Sequence, residues 1–302
     1  MQLPDPSSTA RPSRPQRYAA LLALLCLPLS GQATEPQWHP FEWQSASVVA
    51  GGPIERVALF IPAKINGIDC KLQLDTGANG GVLWHDDRVA EGAATVSVLV
   101  EAGGASMTTT AGADTAARIK SGACDGIASL GNAFFEHGTL TLNLDLSKYS
   151  YASSALLANN SAAQPLIYSQ WSEAGGHTLV EVRLSSGLVG YALLDTGSAR
   201  FGLSAIDAAE WHAITGGLPL AASTTVTEFK VNSWGKQVSC YETIVKRPLT
   251  IADMLTLKEY MASYCAVDRF RPGQKLVGLL GLRHLGRRTI TLDYLSRRWL
   301  LR

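Results

Sequence analysis

From Val57 to Asp75 apolar residues recur with the two-residue period of β-strands, in two runs joined by Asn66-Gly67, the dipeptide that most favours a tight hairpin. From Leu179 to Asp195 the same pattern returns, turning at Ser185-Ser186-Gly187. The second run of each hairpin ends in Asp-Thr-Gly: Asp75-Thr76-Gly77 and Asp195-Thr196-Gly197. A short apolar stretch follows each motif, "GGVLW" to Trp84 and "FGLS" to Ser204, and each leads into a short helical candidate. In the second, Ser204 with Asp207 three residues on resembles a capping box for "AIDAAEWHAI". The pattern predicts an all-β protein with short helices.

A second pair of matching stretches lies downstream, "GIASLGNAFFEHGTLTLNLD" (Gly126 to Asp145) and "VGLLGLRHLGRRTITLDYL" (Val277 to Leu295). Aligning Thr139–Asn143 with Thr289–Asp293 also aligns Gly131 with Gly281, an offset of 150, whereas the Asp-Thr-Gly motifs are offset by 120. The same two signatures thus occur in the same order twice, with 30 additional residues between them in the second copy. An internal duplication follows, and with it two lobes at residues 53–151 and 176–302, joined by a stretch at 152–175 rich in small and polar residues.

Composition narrows the function. The chain has 302 residues, 46% hydrophobic and 17% charged, with a formal net charge of +1, so it has no basic excess to attract nucleic acid or anionic lipid. Arg11, Arg14 and Arg17 precede an apolar stretch from Tyr18 to Leu29, followed by small residues up to Ala33. This reads as a signal peptide over residues 1–33, with 34–52 a leading segment of the exported chain. Removing 1–33 leaves 23 basic and 24 acidic residues and four cysteines, Cys70, Cys124, Cys240 and Cys265. An even number in an exported chain suggests two disulfides. Of three connectivities, Cys70 with Cys124 and Cys240 with Cys265 keeps each bridge within one half. No Cys-x-x-Cys or clustered histidines point to zinc or another metal, and no glycine-rich loop with a following lysine points to a nucleotide, so no cofactor is expected.

The chemistry must then come from the paired aspartates. Two carboxyls brought face to face at about 3 Å cannot both stay ionised; they share a proton, one serving as base and the other as acid. Such a pair can activate water against an amide without metal or covalent intermediate. Gly77 and Gly197 allow close backbone approach, while the Thr76 and Thr196 hydroxyls can bond backbone across the lobe interface. Ser198 follows the second motif where Ala78 follows the first, so Asp195 gains a hydroxyl suited to its charged form and Asp75 is expected to hold the proton.

"LDTGA" with "SLG" and "LDTGS" with "LLG", each glycine followed by a strand such as "LTL" or "TITLDY", resemble the aspartic proteases, and the closing "GLLGLRHLGRRTITLDYLSRRWLL" resembles the bacterial retropepsin-like members. The resemblance covers nearly all of residues 53–302. It implies a two-lobed, pseudo-twofold acid-protease fold, each lobe half of a retropepsin-like β-barrel, with both halves in one monomeric chain as in pepsin-like enzymes. It further implies Asp75 and Asp195 as the catalytic pair, supported by Thr76, Gly77, Gly131, Thr196, Gly197, Ser198 and Gly281. Its substrate would be an extended peptide or protein, and its location the periplasm or the exterior. A non-catalytic peptide-binding module with the same fold is the alternative.

A protease also needs a hairpin that closes over the peptide. Ser97 to Thr110 and Phe229 to Tyr241 each suit that role or that of an ordinary exposed turn. His85-Asp86-Asp87 reads as a helix start, His284 with Arg287-Arg288 as a solvated helix face, and the tryptophans as packing residues.

Overall fold

The computed structural model describes residues 36–48, 51–85, 94–233, 236–266 and 275–302. The segment read as a signal peptide and the helical candidate after His85 lie outside the described residues. The described chain is all-β with a few short helices, as the periodicity predicts.

Strand Glu55–Ile65 turns at Asn66 (φ 49°) and Gly67 (φ 80°) into strand Ile68–Leu74. Two consecutive left-handed residues are the conformation that Asn-Gly tolerates best. In the returning strand Cys70, Leu72 and Leu74 are buried while Asp69 and Lys71 face solvent, so the alternation fixes both register and inner face. Strand Ile68–Leu74 then pairs in parallel with Ala128–Leu130, setting Leu74 beside Leu130, and the latter pairs antiparallel with Val82–Trp84. The second half repeats this plan. Val189–Leu194 pairs in parallel with Leu276–Leu280, which pairs antiparallel with Leu203–Ala205.

The halves join through a six-stranded sheet in which Thr139–Asn143 runs antiparallel to Thr289–Asp293. Thr141 stands opposite Thr291, its own counterpart at the 150-residue offset, and their hydroxyls are 3.4 Å apart. A residue paired with its own equivalent lies on the symmetry axis, so the duplication seen in sequence becomes a local twofold. One core runs through both halves and encloses Trp211, Trp299, Tyr149 and Tyr294. The disulfides are Cys70–Cys124 and Cys240–Cys265. Among the described residues no helix is long and apolar enough to cross a membrane.

Two local expectations are revised and a third stretch gains detail. The stretch 152–175 contains strands Gln164–Pro165 and Ile167–Ser172, paired respectively with Arg298–Leu301 and Gly175–Leu184. Helix Ala208–Thr215 is capped by Asp207, whose carboxylate accepts the Glu210 N–H at 2.9 Å, while Ser204 lies in a strand with its hydroxyl 2.6 Å from that of Ser263. The span from Leu282 to Gly286 is a series of turns, so His284 is not on a helix face; its Nε2 accepts the Met261 N–H at 2.6 Å.

Candidate active site

Asp75 and Asp195 each stand at the end of a central strand, and each is fixed by its parallel neighbour: the Asp75 N–H donates to Leu130 O and the Asp195 N–H to Leu280 O, both at 2.9 Å. The next residue after each neighbour strand is the glycine of the second signature. A Cβ on Gly131 would lie 2.3 Å from Gly80 O, and one on Gly281 would lie 2.2 Å from Ser198 O, so both positions exclude any side chain. Ser129, polar where Leu279 is apolar, is buried; its hydroxyl lies 2.8 Å from His85 Nε2, and His85 Nδ1 is 2.9 Å from Gly126 O. His85 is therefore a structural link beneath the loop, and Asp86 and Asp87 lie outside the described residues.

The threonines lock the two loops together. Thr76 Oγ1 donates to Leu194 O at 2.7 Å and accepts the Thr196 N–H at 3.1 Å. Thr196 Oγ1 donates to Leu74 O at 2.8 Å and accepts the Thr76 N–H at 3.0 Å. Both side chains are almost fully buried, so each of these four bonds replaces one that water would otherwise make, and losing any of them strands a polar group.

With the loops locked, each carboxyl lies over the glycine of the opposite half. A Cβ on Gly77 would meet Asp195 Oδ1 at 2.5 Å, and one on Gly197 would meet Asp75 Oδ1 at 2.5 Å. The two carboxyls are within hydrogen-bonding reach of each other. Asp75 accepts from the Gly77 N–H at 2.9 Å; Asp195 accepts from the Ser198 N–H at 3.1 Å and the Ser198 hydroxyl at 2.7 Å. Burial, followed by repulsion from Asp195, pushes the Asp75 carboxyl up to about 8, against the opposing pull of the Gly77 and Ala78 N–H groups. Burial and the neighbouring Asp195 charge thus both favour the protonated form of Asp75.

Several neighbours of the pair escaped the sequence reading. His177, buried in strand Gly175–Leu184, forms a hydrogen bond with the Gly77 backbone, and burial holds its ring down to about 4, hence neutral. Arg200, five residues beyond Asp195 and 5% exposed, donates to Glu55 at 2.8 Å and to the Glu242 carboxylate at 2.9 Å, while Arg283 reaches Glu55 at 2.7 Å. The crossing is reciprocal. Glu55 of the first half reaches the loop of Asp195, and Gly175 of the second half lies so close to the loop of Asp75 that a Cβ there would meet Asn79 O at 2.2 Å. Asn132, directly after Gly131, donates from Nδ2 to Thr76 O and Ala78 O. Comparing the two repeats flags it, because Leu282 holds the equivalent place.

Of the two hairpins considered as covers, Thr95–Ala102 with Ala105–Gly112 turns at Gly103-Gly104. Its tip packs on the ring of Tyr149, which a Cβ on Gly103 would approach to 2.5 Å, and it flanks Lys64 and Ile65 at the end of their hairpin remote from Asp75. The returning strand of that hairpin sets Met107 against the Asp75 loop, where a Cβ on Gly81 would meet its Sδ at 2.1 Å. The other, Thr227–Ser233 with Lys236–Val245, stacks Phe229 on Phe201 at 6.3 Å, near the Asp195 loop.

No family model matches the chain, and no curated protein matches it. Among solved structures, it is similar to the basic 7S globulin from soybean, with a TM-score of 0.38 and 10% identity, covering 86% of this chain and 94% of that one.

Proposed function

We propose that this chain is an aspartic endopeptidase that hydrolyses peptide bonds in extended polypeptides, with Asp75 and Asp195 as its catalytic pair. The observation that supports this reading is the juxtaposition of one carboxyl from each half, held by the crossed Thr76 and Thr196 bonds, with burial and mutual repulsion raising the proton affinity of Asp75. A water between the carboxyls gives a proton to ionised Asp195 and attacks the amide carbon. Protonated Asp75 donates its hydrogen to the carbonyl oxygen, so the tetrahedral intermediate forms without an isolated oxyanion. Collapse of that intermediate breaks the C–N bond: the proton held by Asp195 passes to the leaving nitrogen, and one hydroxyl returns its proton to Asp75. Rigidity of both loops makes such a relay efficient, since neither carboxyl must be repositioned between steps. Two disulfides suit an oxidising compartment, in keeping with an exported, single-chain enzyme.

The test is incubation of residues 34–302 with a diverse peptide library from pH 3 to 8, beside Asp75→Asn and Asp195→Asn. Cleavage by the parent and its loss by at least 1,000-fold, on the order of the cost of deleting a catalytic group, in both variants is expected. Peptide capture without cleavage by any of the three would assign a binding module instead.

A further inference from the structure

The two catalytic loops are not held alike, and the difference sits in one pair of buried residues. Asn132 Nδ2 lies 2.7 Å from Thr76 O and 3.0 Å from Ala78 O, while the Tyr294 hydroxyl lies 2.9 Å from Asn132 Oδ1. Carbonyl oxygens only accept, so the amide orientation is fixed: nitrogen toward the loop, oxygen toward the tyrosine. Tyr294 must then donate. Asn132 is 0% exposed and Tyr294 1%, so neither bond has a solvent substitute. At the 150-residue offset, position 132 corresponds to Leu282 and position 294 to Leu144, both buried. The symmetry mate of a polar pair is therefore a pair of leucines.

We infer that Asn132 and Tyr294 are positioning residues: by holding the carbonyl side of Thr76–Ala78 they aim the opposite, N–H side of that turn at the Asp75 carboxyl. The inference rests on the protease reading for its catalytic consequence, though not for its geometry. Thr76 O and Ala78 O face Asn132, while the Gly77 and Ala78 N–H groups bond Asp75. Thr76 O and the Gly77 N–H belong to one rigid peptide plane and point to opposite sides of it, so the clamp on that carbonyl orients that N–H, while the bond to Ala78 O fixes the far end of the turn. Asp195 obtains comparable anchoring from the Ser198 hydroxyl, which Ala78 cannot give Asp75. The clamp is thus the first half's substitute for a missing serine. The titratable and charged groups around the device are Asp195 and His177 beside the loop, and Tyr168, Glu136, Tyr151 and Arg297 around Tyr294. Tyr168 ties this surround to the same strand as His177: its hydroxyl bonds Glu136 and accepts the Gly176 N–H at 2.9 Å.

Three variants test the inference: Tyr294→Phe, Asn132→Leu, and the double Asn132→Leu/Tyr294→Leu, which copies the leucines of the other half and so leaves no orphaned polar side chain of the pair should a single variant fail to fold. With the N–H donors misaligned, ionised Asp75 loses stabilisation. The basic limb of kcat, where Asp75 loses its proton, is expected to move up by about half a pH unit or more, with kcat falling about five- to tenfold and KM holding within about twofold. The carbon-13 carboxyl resonance of Asp75, assigned with Asp75→Asn, must shift its midpoint upward in parallel. That readout needs no turnover, so an inactive parent would sink the protease reading while leaving this one open to decision. A loss of kcat with an unmoved limb and an unmoved carboxyl midpoint would reduce the pair to ordinary core and overturn the inference, as would variants indistinguishable from the parent.

Discussion

Replacing Asp75 by asparagine should change how stability depends on pH, and the sign follows from the site. In the unfolded chain the carboxyl titrates near 3.8; in the fold it holds its proton to about 8. Between those values folding retains a proton that unfolding releases, so the contribution is complete at low pH and is lost as pH rises through about 8. Roughly four pH units at about 1.36 kcal/mol each amounts to an effect on the order of 5 kcal/mol, comparable to the whole stability of a modest domain. His177 and His284 act the other way. Burial holds both down to about 4, so they cost stability as pH falls from about 6.5, where the unfolded chain takes up protons that the fold does not. The parent should therefore be most stable near pH 6.5 and decline toward pH 8. Asp75→Asn keeps the histidines and removes the carboxyl, so it should equal the parent near pH 4 and exceed it by several kcal/mol at pH 8, also sparing Asp195 a charged neighbour. Urea unfolding at half-unit steps from pH 4 to 8.5, with disulfides intact, measures the difference directly. A constant gap between parent and variant across that range would refute the shared proton and with it the acid–base assignment.

The loop lock is tested by Thr76→Val, which keeps shape but leaves Leu194 O and Thr196 N without partners. At about 1–3 kcal/mol for each buried orphan the loss should lower Tm by roughly 5–10 °C, while Thr76→Ser stays close to the parent by calorimetry. Ser198→Ala deletes a 2.7 Å bond to Asp195 that favours its charged form. The acidic limb of the pH–rate profile should move up by about one unit, and an unmoved limb would show that Asp195 does not act as the base. Arg200→Met takes the Arg200 cation from half-buried Glu242, while Glu55 keeps Arg283. A loss of about 1–3 kcal/mol by urea unfolding is expected, and Glu242→Gln in the same background should recover part of it.

Much of this site could be read from the chain because its parts are local and repeated. Asp-Thr-Gly at the end of a period-two run, and a glycine directly after a buried strand, are short patterns whose offsets of 120 and 150 declare the duplication. Their glycines are needed for close backbone approach, which leaves its mark directly in residue type. The partners that hold the site were hidden for the opposite reason. Asn132 and Tyr294 are 162 positions apart, and Glu55 and Arg200 are 145 apart. No periodicity links such positions; only the crossing of each half's first long strand to the other half's loop brings them together. The glycine-tipped hairpin at Gly103-Gly104 shows the same limit from another side. Its turn is encoded locally, but where the turn lands depends on the ring of Tyr149, 46 residues downstream by numbering and part of another sheet.

A duplicated chain folded on a twofold axis would by itself produce two equivalent carboxyls, which still share one proton through mutual repulsion but have no preference for which of them holds it. The departures from symmetry bear on which carboxyl keeps that proton. Ser198 against Ala78, Asn132 against Leu282, and Tyr294 against Leu144 all fall within the two loops or directly beneath them, whereas Thr76 and Thr196, Gly77 and Gly197, and Gly131 and Gly281 are kept alike. The matched residues fix distance and the unmatched ones fix charge. If that division holds, making the halves more alike by converting Ala78 to serine should bring the two titrations of the pair closer together and narrow the active pH range from its basic side, since Asp75 would then gain a donor suited to its ionised form. A basic limb that stayed in place in Ala78→Ser would mean that the asymmetry of the loops does not decide which aspartate holds the proton.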